Sequence, residues 1–249
     1  MIDPSESAET LAFCVEDAGL HQPVHWVGEC GSSNAHARAL ADEGAAHGTA
    51  VFAHHQTAGR GRLGRLWQAP AGQNLTLSIV LRPDLSPQVL PMVVLAAGVA
   101  TAQACGHGTR LKWPNDLLSA DGLKVSGLLA EAEFKRNAVQ YVIVGVGVNV
   151  GWAPPDLPAT CLQALGARVT PEQLAVTWVQ RMLEWVRVLG EPTQVLAAWR
   201  ALDATAGRRI NIGGIAGIAR GIADNGELLV ESDDGVMHAI RAGDVQMVG

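Results

Sequence analysis

The chain has 249 residues, 48% of them hydrophobic, with a net charge of −6 and a pI near 5.7. That apolar content can bury a large core, which excludes a disordered chain and fits one main domain with room for a small second one. The acidic balance excludes a broad nucleic-acid face, because such a face needs basic residues spread over a surface.

The first ten residues carry Asp3, Glu6 and Glu9 in place of a basic start and an apolar run, so no secretory signal is read. No uninterrupted apolar run reaches membrane-spanning length. Roughly Ser7 to Ala18 reads as a short amphipathic helix, followed by a strand around His25 to Val27. Gly31-Ser32-Ser33-Asn34 then precedes an alanine-rich helix over Ala35 to Ala46, with the polar trio at its start, where capping explains one of the three side chains. Val51 to Ala53 is a buried strand, and Asn74 to Leu81 alternates Leu75, Leu77, Ile79 and Leu81 as a strand does. Pro91 to Cys105 reads as a helix, Arg110 to Trp113 as a strand and Asp121-Gly122 as a turn; Lys124 to Phe134 and Gln140 to Val150 read as an antiparallel pair. Thr170-Pro171 opens a helix whose stripe of Leu174, Trp178, Met182 and Trp185 belongs in the core. Hairpin signals at Gly213-Gly214, Asn225-Gly226 and Asp234-Gly235 make the tail a small β barrel. The class is α+β, without the regular alternation of a doubly wound sheet.

The segment Gly59-Arg60-Gly61-Arg62-Leu63-Gly64-Arg65 packs three arginines and three glycines into seven residues of an acidic chain, and Trp67 follows. Glycines bring backbone amides close to an oxyanion and guanidinium forks grip carboxylate or phosphate, so this reads as an anion-binding loop. Its glycines and mutually repelling arginines predict a loop that a bound anion orders. Only Lys112, Lys124 and Lys135 stand against fifteen arginines, so a retained lysine points to a need for its compact ammonium.

Lys112-Trp113-Pro114-Asn115-Asp116 is either a plain turn or a cation, an amide and a carboxylate gathered at a strand end. Lys124-Val125-Ser126-Gly127 is either an edge lysine beside a bulge or a second ligand-facing cation. Gly145 and Gly147 interrupt an apolar strand before Asn149, and a flat ligand lying against that strand would explain them. Gln56 offers a donor and an acceptor to a polar ring. His54-His55 point to opposite faces of a strand and make no metal site. The cysteines, Cys14, Cys30, Cys105 and Cys161, show no metal or redox spacing and are expected to be reduced and buried in a cytoplasmic protein.

In this order and spacing, Ser32-Ser33-Asn34, Gln56 with Gly59 to Trp67, Lys112 to Asp116, Lys124-x-x-Gly127 and Gly145-x-Gly147-x-Asn149 closely resemble biotin protein ligases, from about residue 26 to the C-terminus. The resemblance implies a class II synthetase-like catalytic domain with a mixed, largely antiparallel sheet over 26–205, an SH3-like barrel over 206–249 and an N-terminal extension over 1–25. With about 25 residues ahead of the match, the DNA-binding module of some members is expected to be absent. Two departures stand out: Ser33 where relatives carry threonine, and Ser126 where they carry glycine or alanine.

The resemblance also implies that biotin and ATP form biotinyl-5′-AMP, which acylates a lysine of a biotin carboxyl carrier protein. Ser32, Ser33, Asn34, Gln56, Gly59, Arg60, Gly61, Arg62, Lys124, Gly127 and Gly147 would then surround biotin. Arg62, Arg65, Trp67, Lys112, Asn115 and Asn149 would hold the nucleotide, with Trp67 over the adenine and Asn149 on its edge. Lys124, Arg62 and Asp116 would carry catalysis, Asp116 taking the proton of the incoming amine. Magnesium is expected with ATP, though no cage of ligands is legible. No DNA or membrane partner is expected, and the oligomeric state stays open, a homodimer included. The rival readings are a lipoate or octanoate protein ligase and an arginine-glycine nucleic-acid binder.

Overall fold

A computed structural model describes residues 24–83, 86–136 and 138–248. The helix expected over Ser7 to Ala18 and Cys14 lie outside these residues. Strands β1 (Val24–Cys30), β2 (Ala50–Gln56), β3 (Leu75–Leu81), β4 (Arg110–Lys112), β5 (Asp116–Leu118), β6 (Lys124–Lys135) and β7 (Ala138–Val148) form one sheet in the order β1-β2-β3-β7-β6-β5-β4. Only β1 and β2 run parallel, joined through helix α1 (Ser33–Asp42), and every other pairing is antiparallel. This is the mixed, largely antiparallel sheet expected from the sequence.

Helices cover both faces. Helix α1 packs on β2, β3 and β7 over a small cluster of Ala37, Ala41, Val51, Val80, Tyr141 and Ile143. On the other face, α2 (Leu90–Cys105) lies against α3 (Pro171–Arg187) and α4 (Pro192–Leu202) above the main core. Every residue of β3 is buried, because leucines and isoleucine fill one face while Thr76, Ser78 and Val80 are covered on the other. An alternating pattern here marks two buried faces with different chemistry.

Helix α3 starts as its sequence predicts and adds a capping box: Thr170 Oγ1 accepts from Gln173 N at 3.3 Å, and Gln173 Oε1 accepts from Thr170 N at 3.1 Å. Trp178 is fully buried and donates to Thr101 Oγ1 at 2.8 Å, whereas Trp185 is half-buried. The stretch Pro87–Cys105, interrupted by Gln88, Thr101 and Gln103, is long and apolar enough to cross a membrane by length and composition alone. It is helical over 19 residues with mean hydropathy 1.6, and it is the core helix packed beneath α3 and α4. Of the described cysteines, all free, only Cys105 is buried, its thiol pushed up to about 12 by desolvation; Cys30 and Cys161 are half-buried, against expectation.

The tail forms a second, antiparallel sheet, β11-β10-β9-β8-β12, from β8 (Arg209–Ile212), β9 (Ile215–Ile222), β10 (Leu228–Ser232), β11 (Met237–Ile240) and β12 (Gln246–Met247). Its hairpins turn at the glycine pairs and Asn-Gly and Asp-Gly steps that mark them in the sequence, with Gly213 and Gly214 both at positive φ. Trp113 fastens the two sheets together. Its backbone N–H donates to Thr205 Oγ1 at 2.9 Å and its indole N–H to the Gly226 carbonyl at 3.0 Å.

Gly98, inside α2, faces the fully buried Trp199: a Cβ there would lie 2.6 Å from the indole and 3.3 Å from Leu111. Alanine favours a helix by roughly 0.5–1 kcal/mol over glycine, but overpacking against an immovable ring costs about 1–3 kcal/mol. Gly98→Ala should therefore lower the unfolding free energy in urea, and an unchanged or raised midpoint would contradict this packing.

Candidate active site

One cavity of about 600 Å³ opens between the sheets, and nearly every residue singled out from the sequence lines it. Ser32, Ser33, Asn34 and Gln56 lie at one end; Arg60, Gly61, Arg62, Arg65 and Trp67 form one wall; Lys112, Asn115, Asp116, Lys124, Gly127, Gly147 and Asn149 complete it. Gly59 sits just outside, where a Cβ would lie 2.6 Å from the Trp67 carbonyl oxygen. The tail contributes Asp244, Val245, Gln246 and Met247, none of which the sequence reading placed at a site.

The polar end is built by the start of α1. Ser32 takes the N-cap position, yet its hydroxyl makes no capping bond and is left for the cavity. Ser33 N–H donates to Gln56 Oε1 at 2.7 Å, which turns the Gln56 amide so that Nε2 is its free end. Asn34 Nδ2 donates to Glu131 Oε2 at 2.8 Å and to the Leu129 carbonyl at 3.3 Å. Ser78 Oγ lies 2.6 Å from Asn34 Oδ1 and 2.8 Å from Ser33 Oγ.

The glycines of β7 are explained by the chain itself. A Cβ at Gly145 would fall 2.1 Å from Asn34 Oδ1, and one at Gly147 would fall 2.3 Å from Trp67 Cε2. An amide and an indole occupy the space that the sequence reading gave to a flat ligand. Gly127 lies under the same indole, with a built Cβ 3.5 Å from Trp67 Cζ3 and 3.3 Å from Lys124 Nζ. Trp67 is thus a fixed wall beside Lys124.

The cations are already engaged. Arg62 Nη1 donates to Asn115 Oδ1 at 2.7 Å and Nη2 to the Gly243 carbonyl at 3.3 Å, and Asn115 Nδ2 in turn donates to the Leu128 carbonyl at 2.9 Å. Arg65 pairs with Asp244, Arg60 lies 3.7 Å from Glu131, and Lys124 Nζ donates to Asp116 Oδ1 at 2.7 Å. The loop arginines do not repel one another unpaired, because the two sheets supply acceptors for each. Lys112 lines the cavity without a hydrogen bond to its ammonium among the described residues. Burial draws the Arg62 pKa down, opposed by Asp116 and Asp244, while the bond to Asp244 raises that of Arg65. Leu63, at φ 57°, holds a left-handed conformation that costs a non-glycine residue roughly 1–2 kcal/mol, and its side chain is 73% exposed.

Two residues of the motifs face inward. Asn149 is 2% exposed, and its amide is consumed by the carbonyls of Lys124 and Thr160, at 3.4 and 3.1 Å, and by Asn74 at 3.5 Å. Ser126 is fully buried and donates to the Gly147 carbonyl at 2.7 Å, so its hydroxyl faces the sheet. His54 and His55 point apart, His55 lying 3.0 Å from Glu29, and among the described residues no group of three or more His, Cys, Asp or Glu could hold a metal ion.

The sequence pattern of the biotin/lipoate A/B protein ligase family matches residues 28–149, and that of the biotin protein ligase C-terminal domain matches 205–248. The chain is 34% identical to the bifunctional ligase/repressor BirA of Bacillus subtilis, over 98% of this chain and 79% of that protein. It is 37% identical to a biotin--[acetyl-CoA-carboxylase] ligase of Mycobacterium tuberculosis, over 88% of this chain and 86% of that one. Its fold is similar to that of the Aquifex aeolicus biotin protein ligase in complex with biotin and ATP, with a TM-score of 0.74, 26% identity, and coverage of 91% of this chain and 98% of that chain.

The Arg65–Asp244 pair is exposed, so its net contribution to stability is at most about 1 kcal/mol. Arg65 holds the Asp244 carboxyl below its ordinary range, and the pair is therefore lost only as pH falls through that lowered value. Asp244→Asn should leave unfolding nearly unchanged while strengthening pyrophosphate binding several-fold, as read by calorimetric titration. Unchanged anion affinity would show that Asp244 does not compete for the loop.

Proposed function

The chain belongs to the biotin/lipoate A/B protein ligase family, and from that premise we propose that its cavity activates biotin with ATP and transfers the biotinyl group to a lysine of a biotin carboxyl carrier protein. The observation that carries this reading is the pairing of a hydrogen-bonding end with a cationic wall inside one cavity.

At the polar end, the free Gln56 Nε2 is a donor and Ser33 Oγ an acceptor, side by side. A cyclic urea presents the complement, a carbonyl oxygen beside an N–H. Trp67, seated on Gly147 and beside Gly127, walls the passage from there to Lys124. A lipoyl dithiolane has no N–H and no carbonyl for the polar end, and this separates the family's two substrate classes at this site.

In the first step a biotin carboxylate oxygen attacks the α-phosphorus of ATP and pyrophosphate leaves. Two unit anions about 4 Å apart repel by roughly 4 kcal/mol at an effective dielectric near 20, and the phosphates multiply that cost. Arg60, Arg62, Arg65 and Lys124 face the cavity to offset it, and Lys112 adds a cation for the departing group. Magnesium brought by ATP takes most of its ligands from phosphates and water. Asn115 fixes the Arg62 fork, and Asn149 lines the cavity for the adenine edge while its Nδ2 also donates to the Lys124 carbonyl at 3.4 Å.

In the second step the carrier amine attacks the acyl carbon of the anhydride, the bond to the phosphate oxygen breaks, and AMP leaves. A free lysine has a pKa of about 10.4, so its proton needs an acceptor at neutral pH. Asp116 holds Lys124 at 2.7 Å in the free protein. Once Lys124 turns to the phosphate, the Asp116 carboxylate is released to take that proton.

The test separates the steps. Biotin-dependent exchange of pyrophosphate into ATP should occur with biotin and not with lipoate, and Lys124→Ala should lower its rate about a hundredfold or more. Asp116→Asn should slow transfer from preformed biotinyl-5′-AMP; unchanged transfer would remove Asp116 from the second step, and exchange driven by lipoate would overturn the substrate assignment.

A further inference from the structure

Glu131 does not line the cavity, yet two residues that do, Asn34 and Arg60, converge on it. Its carboxylate accepts from Asn34 Nδ2 at 2.8 Å and lies 3.7 Å from Arg60 and 3.8 Å from Arg38. We propose that Glu131 is a positioning residue that sets the hydrogen-bond polarity of the cavity's polar end through a relay running Glu131, Asn34, Ser78, Ser33, and so selects a ligand that presents an N–H to Ser33.

The proton count along the relay leaves one solution. A carboxylate only accepts, so the end of the Asn34 amide that faces Glu131 must be its NH₂; the Leu129 carbonyl at 3.3 Å demands the same end. Asn34 Oδ1 then faces Ser78 Oγ at 2.6 Å and has no proton to give, so the Ser78 proton lies between them. A hydroxyl has a single proton. The contact of 2.8 Å between Ser78 and Ser33 must therefore be filled by the Ser33 proton, donated to Ser78 Oγ. With its proton committed, Ser33 Oγ meets the cavity as an acceptor. The relay is enclosed: Ser33, Asn34 and Ser78 are 5%, 3% and 0% exposed, so water cannot readily take over a reversed bond.

A neutral amide in place of the carboxylate presents either a donor or an acceptor to Asn34. Only the longer bond to the Leu129 carbonyl, 3.3 Å, then opposes reversal of the relay, in which Ser33 would turn a donor toward a ligand N–H. Gly145 belongs to the same device, since any larger residue would displace Asn34 Oδ1. The proposal rests on the reading of the cavity as a biotin site.

Calorimetric titration of the full chain with biotin tests it in a double-mutant cycle. Glu131→Gln should weaken biotin binding by about tenfold or more, the loss expected when a charge-assisted hydrogen bond no longer sets its neighbours. Ser78→Ala should weaken it too, and adding Glu131→Gln to that variant should cost no more than about threefold further, because the relay is already cut. Glu133→Gln, whose side chain reaches only Arg38 at 3.1 Å, should stay within about twofold of the parent chain. Parent-like affinity in Glu131→Gln, or losses that multiply in the double variant, would overturn the relay while leaving the biotin site intact. A parent chain that binds no biotin would overturn the site reading and the relay with it.

Discussion

Like charges gathered around one cavity are the constraint on which this structure turns. Four cations of the wall would repel one another if left alone, and each instead has an acceptor close by, supplied by β6, the β4–β5 hairpin or the tail. Arg62 reaches Asn115 on the first sheet and the Gly243 carbonyl from the tail; Arg65 reaches Asp244; Arg60 lies near Glu131; Lys124 rests on Asp116. The acceptors keep the cations poised without neutralising the cavity permanently, because exposed pairs are weak and a phosphate can displace them.

The second sheet therefore does more than cap the first. Trp113 ties the tail to the β4–β5 hairpin through two hydrogen bonds; that hairpin carries Lys112, Asn115 and Asp116, and the tail loop before β12 carries Asp244. Packing is thereby converted into placement of charge. The glycines of β7 do the same at the other end, where the missing side chains at 145 and 147 admit Asn34 and Trp67.

Much of this is legible in the residue order. The Gly-Arg loop, Lys112 and Lys124 line one cavity, and the hairpin glycines turn the tail strands, while Lys135 ends β6 away from the cavity. Glu131, Ser78 and Asp244 were not legible, because they act through contacts more than forty residues away in sequence. Helix α4 has a legible start at Pro192 and an apolar face at Val195, Leu196 and Trp199, but the run is short beside the tryptophan stripe of α3. Gly145 and Gly147 signal a close approach correctly, and only three-dimensional packing reveals that the approaching groups are the chain's own. At Asn149 the motif does not show that the side-chain amide also bonds the Lys124 and Thr160 carbonyls.

The central claim is that two mutually repelling acids are joined between the arginine loop and Lys124. A crystal structure of this chain with biotinyl-5′-AMP tests it most directly. The phosphate and acyl carbonyl should lie within hydrogen-bond distance of Arg60, Arg62 or Lys124, with the ureido ring against Ser33 and Gln56. An adenylate bound elsewhere, with the Arg65–Asp244 and Lys124–Asp116 pairs undisturbed, would contradict it.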